Sequence, residues 1–118
     1  ERIARMESAL EVARGEPVAL ERETASAWAR RMLTEPVPGQ ATVAYHSIVS
    51  QYLSDEERTA LFDAIREAGE RATADAPLAW LRMEPADDRA NVDLTLWPGG
   101  ETRHIARAGY HGNPVELF

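Results

Sequence analysis

The run Ala41-Thr42-Val43-Ala44-Tyr45-His46-Ser47-Ile48-Val49 limits the fold more than any other stretch, because a short apolar segment ending in a polar pair reads as a buried strand. The next residues narrow the choice further. Ser54-Asp55-Glu56-Glu57 is a capping box, in which Ser54 and Glu57 can each satisfy a backbone donor that a helix start leaves orphaned. Leu61, Ile65, Ala68 and Ala72 continue at helical spacing, Phe62 broadens the apolar face, and three acids in the first turn complement the macrodipole. Pro77 stops this helix after about Ala74. Residues 77–85 then form a second, mostly apolar strand between prolines. Strand, capped helix and strand predict a parallel pair joined by a right-handed crossover.

The flanks add elements to this unit. Ile3, Met6, Leu10 and Ala13 share one stripe of a helix that Gly15 closes. Residues 17–23, entered by Pro17 and left through charges, read as a brief strand. Thr24 or Ser26 caps a second helix reaching about Leu33, with Trp28, Met32 and Leu33 expected to face inward. Pro36-Val37-Pro38-Gly39-Gln40 turns the chain into the central strand. Beyond Pro85, Asp87, Asp88, Arg89 and Asn91 read as a polar loop, and Val92, Leu94 and Leu96 alternate as on a half-buried strand. Pro98-Gly99-Gly100-Glu101 is a turn, and residues 102–110 return antiparallel, with His104, Ala106, Ala108 and Tyr110 expected on one side. Val115 to Phe118 can add a last short strand.

Composition excludes several chemistries. The 118 residues suit a single domain, and no apolar run approaches the ~18 residues of a membrane span. A net charge of -7 repels a phosphate backbone, so no nucleic-acid partner is expected. Cysteine is absent, which removes disulfides and thiolate catalysis and permits an intracellular chain; a cytoplasmic location is the expectation. Every basic residue is Arg, which removes Schiff-base chemistry and a P-loop lysine. The chain starts at Glu1, inside an expected helix, and reads as the C-terminal fragment of a longer protein.

Residues 42–53, 76–85, Leu96-Trp97-Pro98-Gly99-Gly100 and Ala108-Gly109-Tyr110-His111-Gly112 resemble the C-terminal part of a bacterial uncharacterised family, domain of unknown function 2332. The pattern also resembles the second half of a class I methyltransferase-like Rossmann fold: α/β, three layers, parallel strands and a C-terminal antiparallel hairpin. That resemblance implies S-adenosylmethionine as cofactor of the full-length protein, bound at a glycine-rich loop. No Gly-x-Gly-x-Gly occurs in this sequence, so the 118 residues alone are expected to be inactive. It further implies that Glu21 and Glu23 lie near the cofactor's adenine and that His46 and Ser47 lie at a substrate-facing strand exit. Two strands outside this chain would separate residues 17–22 from residues 41–49 in such a fold. An exposed apolar edge or face is therefore expected, and with it a homodimer.

Ligands of open α/β sheets bind beyond the carboxyl ends of the strands, which directs attention to Glu21, His46, Ser47 and Glu84. His46 reads equally as a general base and as a buried structural histidine. Ser47 points to the opposite strand face, so the two are not a nucleophile and its base. Glu84 joins them as a catalytic candidate for a small-molecule substrate, with Trp97, Tyr110 and His111 as substrate contacts. His104 and His111 with Asp93 or Asp87 lack a ligand spacing, and no metal is expected. The competing function is a non-catalytic binding or interaction module on the same fold.

Overall fold

The computed structural model describes residues 2–16 and 20–118. Its order is α1 (Arg2–Gly15), α2 (Ala25–Met32), β1 (Thr42–Ser47), a 3-10 turn (Ser50–Tyr52), α3 (Asp55–Arg71), β2 (Leu78–Ala86), β3 (Arg89–Trp97), β4 (Glu101–Ala108) and β5 (Val115–Leu117). The five strands form one open mixed sheet in the order β1-β2-β3-β4-β5. β1 and β2 are parallel, in register from Thr42 opposite Leu78 to Ser47 opposite Met83, and α3 makes the crossover. The remaining pairings are antiparallel.

α3 begins where its sequence says, with the Ser54 side chain accepting from the Glu57 N–H. The other half of the expected capping box goes elsewhere. The Glu57 carboxylate accepts from the Ser26 N–H at 2.7 Å and the Ser26 hydroxyl at 2.9 Å, so it holds the start of α2, whose own cap is Thr24. At the far ends, Arg71 donates to the Leu33, Thr34 and Glu67 carbonyls, covering the last turns of both helices. The two helices therefore run side by side in the same direction. Truncating Glu57 to Ala orphans the Ser26 donors and is expected to cost about 1–2 kcal/mol, measured by urea denaturation.

The core lies between this helix pair and one sheet face. Leu61, Ala64, Ile65 and Ala68 of α3 meet Leu78 and Trp80 of β2 and Ala29 of α2. Each large side chain buried there contributes roughly 1.5–3 kcal/mol. The inward face of α2 is Ala25, Ala29 and Leu33; Trp28 and Met32, expected inside, are 44% and 53% exposed. The small residues let α2 sit close against α3, which turns the larger ones outward.

Two further expectations need correction. β1 is buried on one face only: Ala44 and His46 turn toward the helices, whereas Val43 and Tyr45 are 60% and 61% exposed at the sheet edge. No described helix buries that second face, so two layers stand where three were expected. The brief strand over residues 17–23 has no counterpart from Leu20 onward, where Leu20 is exposed and unpaired in the sheet; residues 17–19 lie outside those described. α1 forms where its stripe marks it and ends at Gly15 as expected, with none of its described residues buried.

The polar loop after β2 is only Asp87-Asp88, with Asp87 left-handed, so Arg89 and Asn91 belong to β3. A register shift between Val92 and Asp93 pairs Asp93 with His104 but Val92 with Ala106, and directly opposite residues share a face. His104 and Ala106, expected on one side, are thereby placed on opposite sides.

Trp97 closes the helix face of the sheet. It packs on α3 over Gly69, where an added Cβ would overlap three atoms of the indole ring, and beside left-handed Gly100. Gly69→Ala gains about 1 kcal/mol of helix propensity but must displace Trp97, an overpacking cost of about 1–3 kcal/mol. A lower melting temperature by circular dichroism is expected; a higher one would show that Trp97 moves freely.

Candidate functional site

His46 is the last inward residue of β1, and Glu84 sits on the same face of β2, two residues past Arg82, the partner of His46. Their side chains meet, with His46 Nδ1 2.6 Å from Glu84 Oε1. Beyond β1 the chain turns sharply at Ile48, whose φ of 51° is left-handed, and this turn delivers the Val49 and Ser50 amides to the same carboxylate at 3.3 Å. Burial alone pushes the Glu84 carboxyl up. Hydrogen bonds from Ser50, His46 and the Val49 amide outweigh burial and hold it below the usual carboxylate range.

An ionised Glu84 can only accept, so Nδ1 of His46 carries the proton. Nε2 is then the nitrogen with a free lone pair; it is shut off from solvent and has no hydrogen-bond partner among the described residues. Aromatic rings enclose the imidazole. Phe62 stacks at 6.1 Å, Trp80 lies at 5.9 Å, and Phe62 meets Trp80 edge to face at 5.0 Å. The dyad is largely enclosed, with side-chain exposures of 12% for His46 and 18% for Glu84.

Two depressions border it. An apolar groove of about 420 Å³ runs along the β1 edge beneath α2, lined by Trp28, Leu33, Val43, Tyr45, His46 and Ile65. A shallower polar cleft of about 390 Å³ lies on the Glu84 side, with Ser50, Gln51, Arg58, Phe62, Arg82 and Asp93. Arg82 stacks its guanidinium 4.6 Å from the Trp80 ring centroid and reaches Asp93 at 3.3 Å. Sequence reasoning passed over Arg82 and Arg58, since a lone Arg on a strand or helix carries no local signal.

Of the other candidates, Ser47 is exposed on the opposite sheet face, away from His46. Glu21 and Glu23 both bind Arg31 at the surface. The hydrogen bond from Arg31 holds the Glu21 carboxyl below its usual range. Trp97 packs on α3, Tyr110 donates to the Asp87 carbonyl at 2.6 Å, and His111 is exposed in the β4–β5 connection. The structure thus unites only His46 and Glu84. His104 meets Asp93 at 2.9 Å, and among the described residues no three His, Asp or Glu side chains gather to hold a metal. No described helix is long and apolar enough to cross a membrane.

A family model described as "Uncharacterized protein conserved in bacteria (DUF2332)" matches residues 1–117. No curated protein and no solved structure matches the chain.

Because its folded pKa is depressed, Glu84 contributes stability that is fully present above the unfolded value of about 4.3 and is lost as pH falls through the lower folded one. Glu84→Gln is therefore expected to destabilise by about 1–3 kcal/mol at pH 7, with the deficit shrinking toward pH 3. Denaturant midpoints across that pH range test it, and a deficit constant with pH would show that the charge is not what holds the turn.

Proposed function

We infer that this chain, which belongs to the DUF2332 family, carries the substrate side of a methyltransferase-like α/β domain, with His46 as general base toward a small-molecule substrate. The observation that carries the reading is the His46–Glu84 pair at the carboxyl ends of the parallel strands, with Nε2 unpartnered. Glu84 fixes the tautomer and would stabilise the imidazolium once Nε2 took a proton from a substrate hydroxyl or amine, a role typically worth 10²–10⁴-fold in rate. A substrate would reach His46 from the apolar groove that His46 lines, with the cleft on the Glu84 side, lined by Arg58, Arg82 and Gln51, open to its polar groups.

Residues 1–118 do not fit S-adenosylmethionine. Glu21 and Glu23, the acids expected near its adenine, are tied to Arg31, and no glycine-rich turn follows a strand in the sequence. On this reading these residues serve the substrate and do not hold the cofactor.

The enclosure of His46 favours a second reading, in which the dyad only ties the β1 exit to β2 and the domain is a non-catalytic binding module. Calorimetry with S-adenosylmethionine separates the two. Binding is expected for a longer protein that joins these residues to a glycine-rich cofactor loop and not for the 118 residues alone. Tight binding by the 118 residues would overturn the cofactor's placement. No binding by the longer protein would overturn the methyltransferase reading in favour of the module.

A further inference from the structure

Hydrogen-bonding capacity is unevenly spent in the polar cleft beside Glu84. The cleft is walled by α3, β2 and β3 and lies one strand inside the β1 edge, so elements that follow one another in the chain set its shape. Its two acids are already engaged. Both oxygens of Glu84 accept, from the His46 ring and the Val49 and Ser50 amides, and both oxygens of Asp93 accept, one from Arg82 and one from His104. Its two guanidinium groups are not. Arg82 spends Nε on Asp93 and Arg58 spends one terminal nitrogen on Asp55, and their remaining N–H groups have no acceptor among the described residues. A guanidinium only donates, so the capacity left over in this cleft asks for an acceptor.

Arg82 is held in place as well as unspent. Its guanidinium lies 4.6 Å from the Trp80 ring centroid and is pinned at Nε by Asp93, which leaves the two terminal nitrogens as a fork matched to a carboxylate or phosphate. A side chain already ordered loses little freedom on binding. Arg58 faces the same cleft from α3, with 40% of its side chain exposed. Phe62 and Pro85 add an apolar wall, and about 390 Å³ admits an anionic group with a small ring attached.

We propose that this cleft is an oxyanion site, in which a carboxylate or phosphate group of a small organic molecule is held between Arg58 and Arg82. The net charge of -7 does not prevent it, because charges beyond about 8 Å are screened at physiological ionic strength and the two acids at hand are paired. On the His46 reading this is the anionic group of the substrate. That identity rests on the reading, whereas the seat depends on the cleft alone.

The indole N–H of Trp80, whose ring Arg82 covers, reports on the site in a proton–nitrogen correlation spectrum of the labelled chain. Titration with phenyl phosphate or with benzoate is expected to move that signal saturably, and the tighter of the two assigns a phosphate monoester or a carboxylate. Benzyl alcohol, which keeps the ring without the charge, is expected not to. Arg58→Gln and Arg82→Gln are each expected to weaken the tighter anion by about tenfold. Arg66→Gln removes the same charge from α3 outside this cleft and is expected to change it by less than about twofold. If Arg82→Gln fails to fold, Arg58→Gln decides alone, since Arg58 is exposed. No saturable shift with either anion, an equal shift with benzyl alcohol, or equal weakening by Arg66→Gln and Arg58→Gln would each overturn the site. None of these measurements reads the His46 imidazole, so that failure would leave the His46 reading standing.

Discussion

The parallel pairing of β1 with β2 is the constraint on which the rest of the structure depends. Parallel neighbours cannot be joined by a tight turn, so the chain must cross over, and α3 makes that crossing on the helix face of the sheet. Its buried face settles where the core forms, which aromatic rings surround His46, and which end of the strands is left open for the polar cleft. From β2 onward the chain only meanders, each strand returning beside its predecessor, and the residues fully buried on β3 and β4 are three alanines and a threonine.

Within that frame, charged side chains serve backbone groups far from them in sequence. Glu57 holds the start of α2 across 31 residues, Arg71 covers the end of α2 across 37 and 38, and Glu84 collects the turn after β1 across 34 and 35. Each satisfies donors or acceptors that a helix end or a sharp turn would otherwise leave unpaired. The contacts of Glu57 and Glu84 are partly sheltered from water, unlike those of Arg71, and so matter more than exposed ion pairs such as Arg103 with Glu101.

That division explains what could be read in the sequence. Ser54 and the periodicity from Leu61 to Ala72 are local signals, so α3 and the strands flanking it were legible. The meeting of His46 with Glu84 follows in outline from two strand exits lying side by side. The partner of Glu57 was not legible, because a capping box satisfied locally and one satisfied across the fold have the same spelling. Nor was the α2 face, where close approach through Ala25 and Ala29 prevailed over the greater hydrophobicity of Trp28 and Met32. The shift beside Asp93 reverses which residues of β4 share a face, and nothing in an alternating pattern marks the residue that will be passed over.

Ile48 shows how the site and the fold share one cost. A β-branched residue at a φ of 51° is strained by about 1–2 kcal/mol, and glycine would relieve it. The strain persists because the turn it makes is over-determined. The Ile48 amide still completes the β1–β2 ladder through Met83, while the next two amides turn back onto Glu84. A straighter exit would release Glu84 from two donors, and the buried carboxylate would lose part of what keeps it ionised against the pull of burial. The orientation of His46, and with it the lone pair left free on Nε2, is thus set by a backbone distortion two residues away. A less strained turn would stabilise the local chain and loosen the dyad.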